Sequence, residues 1–148
     1  MKHHMLVVAV AICWAIGSSA GDDAVKKDAE RLQGYWNVTS VEREGAPLKG
    51  KEGKLHQVIF TDKKMTVKPN QRESYDANYT LKPDQKPKAI DITYITGPDE
   101  SKTFRGIYVL DGDNLKICLS APGEDRPVEL TTQKGSARTI WILKRGKP

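Results

Sequence analysis

The feature that most constrains this chain is its punctuation. From Gly34 onward, runs of alternating apolar and polar residues are broken by Gly-, Pro- and Asp-containing turn signals. Eight runs stand out, at 35–44, 55–60, 65–68, 75–81, 90–96, 103–110, 115–120 and 139–144, with breaks at Gly45-Ala46-Pro47, Thr61-Asp62-Lys63, Lys82-Pro83-Asp84, Gly97-Pro98-Asp99 and Asp111-Gly112-Asp113-Asn114. Successive side chains of a strand point to opposite faces, so a two-residue period describes a strand with one side on a core and the other in water. Tyr75, Ala77, Tyr79 and Leu81 against Asp76, Asn78 and Thr80 is the cleanest case, followed by Ile90, Ile92 and Tyr94 against Asp91 and Thr93. Asp-Gly between two such runs is a strong hairpin signal. Short hairpin-linked strands without a long helical crossover predict an all-β chain, an antiparallel up-and-down barrel of about eight strands, which closes its own edges.

Two segments precede the barrel. In residues 1–20, a basic start at Lys2 is followed by an apolar run over 6–16 and by the small residues Gly17-Ser18-Ser19-Ala20. That run is shorter than the roughly 20 residues a helix needs to cross a bilayer, which predicts an export signal cleaved near Ala20 and no membrane span afterwards. Residues 21–33 place Ala24, Val25, Ala29 and Leu32 near a helical period, so a short helix is expected to lead into the barrel domain, residues 34–148. The expected localisation is periplasmic or extracellular, and the chain is read as a monomer.

Charge and chemistry exclude several functions. Removing Lys2 lowers the net charge from +5 to +4, and the basic clusters Lys49-Gly50-Lys51, Lys63-Lys64 and Lys86-Pro87-Lys88 are interleaved with acids and lack stacking aromatics, so no nucleic-acid partner is expected. Only Cys118 remains after residue 20, so the domain is held by its core and not by a disulfide. His56 is likewise the last histidine, which leaves no metal set and no Ser-His-Asp arrangement. Asp111-Gly112-Asp113-Asn114 lacks the spacing of a calcium loop. Arg126-Pro127 reads as a loop anchored by an arginine hydrogen bond. No catalytic residues, metal or cofactor are expected.

Gly34-Tyr35-Trp36 on the first strand and Lys144-Arg145 closing the last resemble the lipocalin pattern, in which the first-strand tryptophan packs under an arginine from the last strand. With Asp28-Ala29-Glu30-Arg31-Leu32-Gln33, Lys86-Pro87-Lys88-Ala89-Ile90-Asp91, the run from Gly106 to Cys118 and Arg126-Pro127, the chain is similar to the uncharacterised lipocalin-like domains abundant in planctomycete bacteria. That resemblance implies a calycin-type barrel and export, with Gly34, Trp36 and Arg145 as its structural signature. It supplies no activity.

Alternation points Trp36, Val38, Val58, Phe60, Tyr79, Leu81, Ile92, Ile107, Val109, Ile117 and Ile142 inward. Of these, Trp36, Val38, Phe60, Tyr79, Ile92, Ile107, Ile117 and Ile142 are the expected contacts of a small hydrophobic ligand, with Tyr79 or Tyr94 as a polar handle. The last strand is apolar on both faces and calls for an outer cover, assigned here to the leading helix. The alternative is a solid barrel serving as a structural or protein-interaction domain of the cell envelope, its outer wall carrying an apolar patch at Tyr108 or Trp141. A void of a few hundred cubic ångströms separates the two readings.

Overall fold

A computed structural model describes residues 20–49 and 55–148 of the protein. The expected export signal lies outside the described residues except for Ala20, where the first helix begins. That helix, α1, spans Ala20–Leu32, with Asp22 and Asp23 in its first turn and Arg31 in its last, the charge order that suits the helix dipole. It stops because Gly34 takes a φ of +106°, a conformation open to glycine at low cost.

The strands are β1 Gly34–Arg43, β2 Ala46–Pro47, β3 Gln57–Thr61, β4 Lys64–Lys68, β5 Tyr75–Lys82, β6 Ala89–Tyr94, β7 Thr103–Asp111, β8 Asn114–Ser120 and β9 Arg138–Arg145. All pairings are antiparallel and follow chain order, and β1 pairs with both β3 and β9. Eight strands therefore close into an up-and-down barrel, while β2 is a two-residue addition to the end of β1, where the sequence shows only a turn. Hairpin chemistry accounts for the tight connections. Gly112 at φ +55° turns β7 into β8, and Asp62 at φ +53° turns β3 into β4.

Register fixes which side chains face inward. The rows Trp36–Val58–Val67 and Tyr108–Ile117–Trp141 run across neighbouring strands on the inner face. A bulge at Thr39 changes the phase of β1, so that Trp36 and Val41, five positions apart, both face the core. Two expectations are corrected here. Ile107 and Ile142 do not face the barrel interior; they belong to a separate outer cluster with Cys118 and Ile140. Val109, on the same outer side, is 46% exposed. The physical reason is that β7 and β9 are apolar on both faces, so alternation gives no phase, whereas pairing of Ile107 with Cys118 and of Cys118 with Ile140 does. The cover over this outer row is the segment 121–137, through Leu130, and not α1. Arg126 holds the segment down, donating to the carbonyls of Gly106 (2.9 Å) and Ile90 (3.2 Å) and pairing with Asp91 at 2.8 Å. Cys118 is fully buried, and burial pushes its thiol pKa up.

Candidate functional site

Strand directions give the barrel two unlike ends. At one end lie the start of β1, the end of β9, the turns at 62–63 and 112–113, and α1. This end is plugged. Trp36 is fully buried and donates its indole N–H to the Leu32 carbonyl at 2.8 Å, while the Arg145 guanidinium lies 4.0 Å from the ring centroid. The same guanidinium donates to the carbonyls of Gln33 (2.8 Å) and Arg31 (2.6 Å), so it caps the C-terminus of α1 where a cation is favoured.

A second tie is polar and buried. Asp28 accepts the Tyr108 hydroxyl at 2.6 Å and the Lys88 ammonium at 2.8 Å. Burial alone raises the Asp28 pKa, but the bonds from Lys88 and Tyr108, aided by the nearby charges of Lys88 and Arg31, outweigh it and hold the carboxyl below its ordinary range. For Tyr108, burial first and then the bond to Asp28 push the phenol pKa far up, so it stays a donor. Gln33 completes the plug by bonding the Tyr79 hydroxyl at 3.1 Å and accepting from the Asp62 backbone N–H.

The other end, formed by the end of β1, the start of β9 and the loop joining β6 to β7, is open. A cavity of about 320 Å³ is lined there by Arg43, Tyr94, Asp99, Phe104, Leu119 and Trp141 among others. A neighbouring recess of about 200 Å³ adds Val41, Val67 and Tyr75, and Arg43, Tyr94, Asp99, Thr139 and Trp141 line both. The walls are ordered by local chemistry. Tyr94 packs edge-on against Phe104 at 5.6 Å between centroids, and Gly97, at φ +95°, lies so close to the Tyr75 ring that a Cβ would stand 2.6 Å from it. Lys102 ties Asp99 at 3.0 Å, and the Glu44 carboxylate takes the Gly135 N–H at 2.6 Å.

Two polar groups in this aromatic mouth are unspent. Among the described residues, neither the Tyr94 hydroxyl nor the Trp141 indole N–H has a hydrogen-bond partner. Burial, then the Asp99 carboxylate, pushes the Tyr94 pKa well above its ordinary value, so the phenol remains protonated.

The residues expected to contact a ligand do not line this mouth. Trp36, Phe60, Tyr79, Ile92 and Ile117 are buried in the inner cluster, and Val38 is half-buried against it; Ile107 and Ile142 are in the outer cluster. Of the two expected handles, Tyr79 is committed to the plug, while Tyr94 lies at the cavity. Sequence reasoning missed Val41, Arg43, Phe104, Thr139 and Trp141. The available signal was position: they occupy the strand ends opposite Trp36, and a barrel plugged at one end offers space at the other. Among the described residues no three His, Cys, Asp or Glu side chains gather as a metal set. No helix among them is long and apolar enough to cross a membrane. Compared with protein-family models, curated proteins and solved structures, the chain matches none of them.

Proposed function

We propose that the protein is an exported, lipocalin-like carrier that binds one small molecule at the open end of its barrel. The observation that carries this reading is the mouth cavity of about 320 Å³, walled by Tyr94, Phe104 and Trp141 and holding an unpartnered phenol and indole N–H. Binding sites are commonly apolar concavities of about 300–1,000 Å³ with a few placed polar groups. This one is at the small end of that range, which favours a compact ligand over a long chain. Export is supported by the charge and apolar pattern of residues 1–20, and the family reading by the Gly34, Trp36 and Arg145 signature.

Native mass spectrometry of the protein purified gently from its own envelope tests the proposal. The expected result is an added small mass that survives desalting and is lost on denaturation, and that is also lost in Trp141→Ala. A bare mass at the sequence value would overturn it. Such a result would move the reading to the outer wall, where the exposed Val109 borders a shallow recess of about 190 Å³ against Leu130 and Ile142. Tyr108 and Trp141 do not serve such a patch, because both face inward and are 1% and 8% exposed.

A further inference from the structure

The structural guanidinium groups of the barrel are engaged through both Nη groups. Arg145 spends its Nη groups on two carbonyls and its face on Trp36; Arg126 bonds two carbonyls and Asp91. The arginine of the mouth is different. Arg43 spends only Nε, on Thr139 Oγ1 at 2.9 Å, and both its Nη groups lack partners among the described residues. Arg138, although it borders the cavity, shares its face of β9 with Ile140 and Ile142, and its charge acts on the Cys118 thiol of the outer row. A guanidinium carries five N–H donors in a fork that matches a carboxylate or sulfonate.

The acids lining the same cavity are already engaged. Glu44 accepts from the Gly135 N–H and Asp99 is paired with Lys102. The charged residues of the lining, Arg43 and Arg138 against Glu44 and Asp99, sum to zero, and because both acids have partners of their own the Arg43 Nη groups are left open. The Tyr94 phenol and the Trp141 indole add two more donors. The rim is therefore rich in unused donors set above an aromatic floor.

We infer that the mouth selects a small organic anion, with its charged group on the open Nη groups of Arg43 and its apolar body against Tyr94, Phe104 and Trp141. This rests on the carrier reading above and narrows its ligand class. Aromatic walls receive flat or branched apolar bodies, and a charge-assisted hydrogen bond is about twice as strong as a neutral one.

The test compares two fluorescent probes that share their rings and differ in charge. Anilinonaphthalene sulfonate is an anion, and N-phenylnaphthylamine is the same ring pair without the sulfonate. In titrations of the full-chain protein, the sulfonate is expected to bind at least about tenfold more tightly. Arg43→Gln should remove roughly tenfold of that affinity while the neutral probe changes less than about twofold, and Arg138→Gln, on the outer wall, should change either probe by less than about twofold. Added salt should weaken the sulfonate and spare the neutral probe. Equal binding of the two probes, or sulfonate binding untouched by Arg43→Gln, would overturn the anion inference and leave the cavity reading standing. Failure of both probes to bind, with the barrel folded by circular dichroism, would overturn the cavity reading itself.

Discussion

Replacing Arg145 with alanine tests how the plugged end is held. The side chain donates to the Gln33 and Arg31 carbonyls and lies 4.0 Å from the centroid of a fully buried indole. At 31% side-chain exposure its two hydrogen bonds are partly screened and are taken at about 1 kcal/mol each. The cation–π contact adds about 1 kcal/mol, because the ring face is desolvated. The pairing with Asp113, at 3.8 Å to a carboxylate 84% exposed, is left out. The expected loss is about 3 kcal/mol, equivalent to lowering Tm by roughly 6–12 °C for a chain of this size. Urea unfolding followed by far-ultraviolet circular dichroism reads it, with Lys144→Ala, an exposed neighbour, as the control within about 0.5 kcal/mol. A double-mutant cycle with Trp36→Phe should return a coupling of about 1 kcal/mol. A loss below about 1 kcal/mol in Arg145→Ala would refute the capping argument.

Trp36→Ala removes a fully buried aromatic and its hydrogen bond to Leu32, and should cost about 3–5 kcal/mol in the same assay; a cost under about 1 kcal/mol would contradict its burial. Asp28 has a folded-state pKa held below the ordinary 3.8, so its contribution is present above that pH and is lost as pH falls through the folded value. The stability gap between the wild type and Asp28→Asn should therefore be wide near neutral pH and narrow in acid, and a gap independent of pH would sink the assignment. At Gly106 an added Cβ would stand 2.6 Å from both the Cys118 carbonyl oxygen and Leu119 Cδ2, so Gly106→Ala should cost about 1–3 kcal/mol by equilibrium unfolding, and a neutral result would show that β7 and β8 can separate there.

The strands were legible because their signals are local. Alternation in residues 75–81 and Asp-Gly at 111–112 describe β5 and the β7–β8 hairpin without reference to any other part of the chain. The outer faces of β7 and β9 were not legible, since an apolar run reads the same from either side. Neither was the bulge at Thr39, which is created by the partner strand β9. The candidate site lay further out of reach. Its residues come from five strands and three of the connections between them, and none of them carries a motif.

The amino-acid sequence by itself determined the strand positions, their hairpin order and the barrel class, because turn chemistry and side-chain period act over a few residues. Only the tertiary structure decided which end is plugged, which segment covers the outer row, and that Tyr94, Arg43 and Trp141 share a cavity. Those outcomes depend on register and closure between residues as much as a hundred positions apart, and no local pattern encodes them.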